Sequence, residues 1–250
     1  MGQLGKDRLT IRVDEVDSTN LYLKRLARKE HPEEGTLVIA EYQTAGRGQT
    51  GTSWFSAKGE NLMFSLLIYP KEVEAVKQFI ISRIASLAVK NTLDQFTDDI
   101  RIKWPNDIYW KDKKIAGMLI ENDIQGKHIE NSVIGIGINI NQQSFPPELP
   151  NPVSLRQITG SVQDRDYILE AFMREFSLLY RDLQQGENGV IEDEYMLDLY
   201  RVNDYYWFED EQGKFQAMIE DVMPSGHLLL RTLDGDDVRK YAFKEVSFVD

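Results

Sequence analysis

An α+β fold, with a mixed and largely antiparallel sheet covered by helices and a small β-barrel at its C-terminal end, is what this 250-residue sequence predicts. Three observations predict it. Strand patterns follow one another without intervening helices between residues 100 and 140, which implies antiparallel pairs. Helical periodicity occupies residues 72 to about 96, 164–184 and 190–202. From residue 205 onward the texture changes to short alternating segments broken at Gln212-Gly213, Pro224-Ser225-Gly226 and Asp234-Gly235-Asp236. A domain boundary is therefore expected near Asn203, with 1–203 and 204–250 as the two parts.

Alternation over residues 11–16 predicts the first strand, and Ser18 stands where a helix N-cap belongs, before apolar Tyr22, Leu23, Leu26 and Ala27. Residues 37–40 read as a buried strand, residues 44–51 as a glycine-rich loop, and residues 62–69 as a second apolar strand. The long helix that follows places Val73, Val76, Phe79, Ile80, Ile84, Leu87 and Ala88 on one face. Residues 100–104, 115–121 and 129–140 are the next strands, the last two joined by a hairpin at Gln125-Gly126. Residues 141–152 hold four prolines and read as a mobile loop. The helices are expected to cover one side of the sheet.

Composition narrows the function. With 29 basic and 41 acidic side chains the net charge is −12, which repels phosphate backbones at long range and argues against DNA as a main partner. The absence of cysteine removes disulfides, thiolate metal sites and cysteine nucleophiles. His31, His128 and His227 are far apart and lack metal-ligand spacing, so a histidine-built zinc site or a Ser-His-Asp triad is not expected. The N-terminal residues have no apolar stretch after them and no run is long enough to span a bilayer, so the expected location is the cytoplasm, with no membrane partner.

Three segments stand out chemically. Gly46-Arg47-Gly48-Gln49-Thr50-Gly51 is a G-x-G-x-x-G after a strand, but a further strand and not a helix follows it, so the dinucleotide-binding reading fails. Its glycines permit either close wrapping of an anion or flat ligand, or a plain surface turn. Residues 101–114 carry five basic residues against two acidic ones, a local net of +3 in an acidic chain. This is a solvated hairpin tip or a place where Lys103 and Lys114 converge on one anion. In residues 133–141, alternation puts Ile134, Ile136, Ile138 and Ile140 on one face and Gly135, Gly137 and Asn139 on the other. That bare face suits either a ligand or a tightly packed neighbour.

Taken in order, these segments resemble the biotin protein ligases, in a short form. The motifs are Asp17-Ser18-Thr19-Asn20, then Glu41-Tyr42-Gln43-Thr44-Ala45-Gly46-Arg47-Gly48 with Gly51 and Trp54, then Lys103-Trp104-Pro105-Asn106-Asp107. Lys114-Ile115-Ala116-Gly117 with Glu121, and Gly135-Ile136-Gly137-Ile138-Asn139, complete the set, which spans residues 8 to 250. The resemblance implies activation of biotin by ATP to biotinyl-5'-adenylate and pyrophosphate, then transfer of biotin to a lysine of a biotin carboxyl carrier protein or domain, as in acetyl-CoA carboxylase. It implies Mg2+ held mainly by the ATP phosphates, and it leaves a homodimer open.

By the same resemblance, Ser18, Thr19, Asn20 and Gln43 would meet the biotin ring, and Gly46 and Arg47 would close over the ligand. Gly117, Gly135 and Gly137 would floor its pocket. Arg47, Gln49, Trp54, Asn106 and Asn139 would contact ATP or the adenylate. Lys114 would stabilise charge between carboxylate and α-phosphate, with Arg47, Lys103 and Asp107 as further catalytic candidates. The C-terminal module resembles the family's Src-homology-3-like barrel, engaging ATP or the carrier. Gln49, Thr50 and Thr52 stand where many relatives have arginines, which implies weaker retention of the adenylate. The sequence starts almost directly at the catalytic domain, so no winged helix-turn-helix is expected within it. A lipoate or octanoate transferase would want a longer apolar tunnel in place of Ser18, Thr19 and Gln43, and a biotin-sensing repressor would want a DNA-binding domain.

Overall fold

The computed structural model describes residues 8–49, 51–233, 235 and 237–249. The chain begins with β1 (Thr10–Val16), α1 (Thr19–Glu30), β2 (Leu37–Gln43) and β3 (Leu62–Ile68). A 3-10 turn (Ala75–Lys77) leads into α2 (Phe79–Leu93), followed by β4 (Ile100–Lys103), β5 (Asp107–Trp110), β6 (Lys113–Gln125) and β7 (His128–Ile138). Then come α3 (Leu155–Thr159), α4 (Arg165–Gln184) and α5 (Asn188–Leu197). The C-terminal strands are β8 (Tyr206–Asp210), β9 (Gly213–Val222), β10 (Leu228–Thr232), β11 (Val238–Tyr241) and β12 (Ser247–Phe248).

The first seven strands form one sheet in the order β1-β2-β3-β7-β6-β5-β4. Only the β1–β2 pair is parallel among the described residues, because α1 is the one helix that connects neighbouring strands of this sheet. The last five form an antiparallel sheet, β11-β10-β9-β8-β12, beginning three residues beyond Asn203. The predicted class is therefore present, and four details differ from expectation.

The helix expected from residue 72 starts at Phe79: a 3-10 turn occupies the earlier stretch, and Val76, assigned to the apolar face, is 69% exposed. Residues 107–110 form a strand of their own, which four residues of mixed character did not announce. Ser154 accepts from the Gln157 N–H while the Gln157 side chain accepts from the Ser154 N–H, a capping box that starts the unforeseen α3. Finally, the helices are on both faces. Leu23 and Ala27 of α1 pack with Val38, Leu67 and Val133, whereas α2, α4 and α5 share the opposite face with Leu37, Ile39, Leu66, Ile134 and Ile136.

That two-sided arrangement follows from strand alternation: successive residues of β2, β3 and β7 are apolar on both faces, and each face needs a cover. The two sheets also share a core. Phe208, Ile219, Val222, Leu228 and Leu230 belong to the same buried cluster as α2 and α5. Arg83, 2% exposed, crosses the junction, donating to the Val222 carbonyl and pairing with Glu192 at 2.6 Å. Trp104 Nε1 donates to the Gly226 carbonyl at 2.9 Å, tying the β4–β5 hairpin to the C-terminal sheet. Among the described residues, no helix is long and apolar enough to cross a membrane.

Candidate active site

A cavity of about 710 Å³ opens where the ends of β6 and β7, the start of α1, the glycine-rich loop and the C-terminal sheet meet. Fifteen of the sixteen predicted site residues line it; the exception is Gly46. A Cβ on Gly46 would lie 2.4 Å from the Trp54 carbonyl oxygen, and its own carbonyl accepts from Trp54 N–H at 2.9 Å. Gly46 thus shapes the loop and does not wall the cavity.

At one end, polar groups converge from α1 and β2. Ser18 occupies the N-cap position of α1, as its sequence context predicts, but its hydroxyl makes no cap bond and lines the cavity. The Thr19 N–H and hydroxyl donate to Gln43 Oε1 at 2.8 and 3.2 Å, which fixes that amide with Nε2 turned toward Met63 Sδ, 3.5 Å away. Ser65, fully buried on β3 and missed by the sequence reading, brings its hydroxyl to 2.8 Å of Thr19 Oγ1 and 2.6 Å of Asn20 Oδ1. An isolated serine in an apolar strand gives no signal without its neighbours.

Asn20 links this end to the loop. Its amide donates to the Leu119 carbonyl and to Glu121 Oε2, both at 3.0 Å. Glu121 also pairs with Lys24 at 3.1 Å and with Arg47 at 3.5 Å. Burial pushes the Glu121 carboxyl up, but Asn20, Lys24 and Arg47 together outweigh burial and hold it below its ordinary range. A depressed folded-state pKa stabilises the fold above the unfolded-state value, about 4.3, and that stabilisation disappears as pH falls through the folded value. Glu121→Gln should therefore cost about 1–3 kcal/mol at pH 7 and much less at pH 3. Urea unfolding at both pH values checks this, and an equal loss at both would contradict it.

The glycine face of β7 is present but not bare. All four isoleucines point into the core, and the other face is roofed by residues of the predicted site. A Cβ on Gly135 would lie 2.1 Å from Asn20 Oδ1, and one on Gly137 would lie 2.3 Å from Trp54 Cε2. Next to them on β6, a Cβ on Gly117 would lie 3.0 Å from Trp54 Cζ3 and 3.2 Å from Lys114 Cε. Of the two open readings of this face, the packed neighbour is the one seen: Gly135 receives a helix side chain, and Gly137 with Gly117 receives an indole from the loop. Trp54 Nε1 and Asn139 Oδ1 are buried without hydrogen-bond partners, one donor and one acceptor in the cavity wall.

The loop is compact. Its described residues are tied by Gly48 N–H to Thr52 O at 3.0 Å, Thr52 N–H to Gln49 O at 2.9 Å and Thr52 Oγ1 to Gln49 O at 2.8 Å. Thr50, read with Gln49 and Thr52 as a departure from many relatives, lies outside the described residues.

The basic segment divides in two. Arg101, Lys111 and Lys113 are exposed, as a hairpin tip would be, whereas Lys103 and Lys114 turn to the cavity. Lys114 Nζ is 2.6 Å from Asp107 Oδ1 and 5.9 Å from the Trp54 ring centroid. Its backbone is pinned from the loop expected to be mobile: Lys114 N–H donates to Asn151 O at 2.9 Å, and Val153 N–H to Lys114 O at 3.0 Å. Phe145, Leu149, Pro150 and Pro152 of that loop also line the cavity, a contribution the proline count alone does not reveal.

Lys103 Nζ lies over Tyr109, Tyr200 and Phe248, 4.5 to 5.7 Å from the ring centroids, and donates to Tyr109 Oη at 3.2 Å. Burial, then the Asp107 charge, pushes the Tyr109 phenol up to about 12, so it stays neutral. Asn106 uses its amide on the Met118 carbonyl, holding the β4–β5 turn against β6.

The cavity's charge is opposite to the chain's. Arg47, Lys103, Lys114 and Lys244 face a single carboxylate, Asp107, among the lining residues. Such a site attracts anions and can hold several negative groups together. Among the described residues no group of three or more ligating side chains could hold a metal ion, and the one lining carboxylate is paired with Lys114. The lining residues among those described therefore offer no protein cage for Mg2+.

Comparison with known proteins agrees with this geometry. A model of the biotin/lipoate A/B protein ligase family matches residues 12–139. The bifunctional ligase/repressor BirA of Bacillus spizizenii is 37% identical over 173 residues, covering 68% of this chain and 53% of that relative. The biotin--[acetyl-CoA-carboxylase] ligase of Paracoccus denitrificans is 27% identical over 208 residues, covering 80% and 86% of the two chains. Thus the chain spans about half the length of the BirA relatives it matches and most of the Paracoccus protein. Among solved structures, the biotin protein ligase from Aquifex aeolicus in complex with biotin and ATP superposes with a TM-score of 0.78 at 28% identity, covering 96% and 97% of the chains.

Proposed function

The chain belongs to the biotin/lipoate A/B protein ligase family, and from that premise we propose that it is a biotin protein ligase. It joins biotin to ATP as biotinyl-5'-adenylate, releases pyrophosphate, and passes the biotinyl group to a lysine of a biotin carboxyl carrier protein or domain. The reaction takes place in the cytoplasm, where ATP and the acceptor are available. In this reading residues 1–203 form the catalytic part and residues 204–250 the C-terminal barrel.

The observation that carries the proposal is the meeting of three features in one cavity: a polar end, a glycine floor and a cation cluster with Lys114 at their junction. Ser18, Thr19 and Gln43 suit the hydrogen-bonding ureido ring, and Gly117 and Gly137 let the Trp54 indole lie close against the sheet, a flat wall that suits a flat, narrow ligand. This polar end favours biotin over lipoate, whose dithiolane ring offers nothing for it to bind. The donor Trp54 Nε1 and the acceptor Asn139 Oδ1 suit the adenylate.

In the first step a carboxylate oxygen of biotin attacks the α-phosphorus, and the bond to the bridging oxygen of pyrophosphate breaks. Lys114, Arg47 and Lys103 counter the charge that gathers there, and Mg2+ on the phosphates would neutralise more of it. Asp107 holds the Lys114 ammonium in place. In the second step the carrier lysine's neutral amine attacks the acyl carbon and AMP departs with the carboxylate oxygen. Lys114 then stabilises the leaving phosphate.

Biotin-dependent exchange of pyrophosphate into ATP tests the reading. We expect exchange with biotin and at least about a hundredfold less with lipoate, the scale on which a site with committed polar groups rejects a ligand lacking their partners. Equal exchange with the two acids would overturn it.

A further inference from the structure

Between Arg47 and Lys58 the sequence carries no cation, so the glycine-rich loop brings no positive charge to the cavity beyond that of Arg47. The C-terminal sheet does. Lys244 sits in the turn between β11 and β12, lines the same cavity, and places Nζ 3.7 Å from where a Cβ on Gly51 would be. Two segments distant in the chain therefore meet at the cavity, the loop through Gly51 and the C-terminal sheet through the Lys244 ammonium.

The backbone of Lys244 makes this more specific. Glu245 N–H donates to Ala242 O at 3.2 Å, and the Ala242 N–H donates to Glu245 Oε2 at 2.6 Å, so Ala242 to Glu245 form a tight turn. Lys244 is its third residue, with φ of 72°. Glycine is favoured at such a position because a Cβ is crowded there. A lysine carries a conformational cost that glycine would avoid, and its side chain is the only thing gained. The turn is anchored beside the Lys103–Asp107 motif, since the Phe243 ring packs edge-on to Trp104 at 6.4 Å.

We infer that Lys244 is a binding residue for the triphosphate of the nucleotide, its ammonium adding from the second sheet to the cation set of Arg47, Lys103 and Lys114. The inference rests on the ligase reading for the identity of the nucleotide. It goes beyond that reading by giving the C-terminal sheet a named residue in substrate binding.

Lys244→Gly is the suitable variant, because it removes the ammonium and relieves the backbone at once. Calorimetry on the full chain would measure binding of α,β-methylene-ATP, which cannot be cleaved at the reacting bond, and of AMP, alongside the melting temperature. We expect the variant to bind the triphosphate about tenfold more weakly, as for loss of one charge-assisted contact, with AMP affinity unchanged. Its melting temperature should be equal or higher, and Lys244→Arg should stay within about twofold of the parent for both ligands. Unchanged triphosphate affinity in Lys244→Gly, or equal loss for triphosphate and AMP, would overturn the inference. A parent chain that binds the analogue and loses that binding in Lys244→Gly, yet shows no biotin-dependent pyrophosphate exchange, would support Lys244 while removing the ligase reading. A parent chain that binds no analogue would overturn both.

Discussion

Lys114→Ala should lower biotin-dependent pyrophosphate exchange by about 100- to 1,000-fold, the loss seen when one preorganised transition-state donor is removed from an active site. The ammonium stands where the cavity's cations meet the glycine floor, and its two neighbours are Asp107 at 2.6 Å and the Trp54 ring. Binding of biotin alone should weaken far less, because Ser18, Thr19 and Gln43 remain. The effect then falls on the rate constant and not on KM for biotin. Folding should survive, since the backbone of Lys114 is held on one side by β5 and on the other by Asn151 and Val153. A variant with near-parental exchange would remove Lys114 from the chemistry. One that unfolds would show in the melting curve and send the test to Lys114→Met, which keeps the packing of the stem.

Gly137→Ala comes second. The new methyl would lie 2.3 Å from Trp54 Cε2, against about 3.5–4.0 Å for a relaxed carbon contact. The backbone has little freedom to yield, because Gly137 is paired on both sides, with Met63 of β3 and Gly117 of β6. The indole must leave the floor. Overpacking of this kind costs about 1–3 kcal/mol, and displacing the ring should weaken binding of a biotinyl-adenylate analogue by about 100-fold, near 2.7 kcal/mol. Pairing the change with Trp54→Ala should recover the stability but not the affinity, a coupling that a double-mutant cycle reads directly. If Gly137→Ala bound the analogue as the parent does, the glycine floor would have no part in the ligand site.

How much of this was legible in the sequence depended on how local each signal was. The β7 face is an example of full legibility: strict alternation of isoleucine with glycine and asparagine fixes which side each residue takes, and the structure agrees. The antiparallel sense of the strands between residues 100 and 140 followed from the lack of helices between them, although β5 was not among those expected. By contrast, the placement of α1 on the opposite face could not be read, because periodicity shows that a helix has an apolar stripe but not which sheet face receives it. The start of α2 was misplaced since Val73 and Val76 keep helical spacing although the chain there makes only a 3-10 turn.

The site shows the same division. Single-residue candidates came from contiguous motifs, which is why Lys103, Asp107 and Lys114 could be named together. Ser65 and Lys244 could not, since Ser65 is a lone polar residue in an apolar strand and Lys244 is one charge among several near it in the chain, and each gains meaning only from residues brought to it by the fold. Gly46 was legible as a required glycine but not as a loop-shaping one, a distinction made by the Trp54 carbonyl that its Cβ would strike. The second cleft, lined by His31, Glu33, His128 and Glu130, brings together two histidines that sequence distance had separated, without forming a metal site among the described residues.

If this cavity joins a carboxylate to the α-phosphate and then surrenders the acyl group to an amine, the carboxylate oxygens of biotin end in two different products. Biotin labelled with 18O in its carboxylate, incubated with the chain, ATP and a carrier domain, follows the oxygens themselves. Mass spectrometry should find one labelled oxygen in the phosphate of the AMP released for each carrier biotinylated, with the other in the new amide. Unlabelled AMP, or ADP and phosphate as the nucleotide products, would contradict the account.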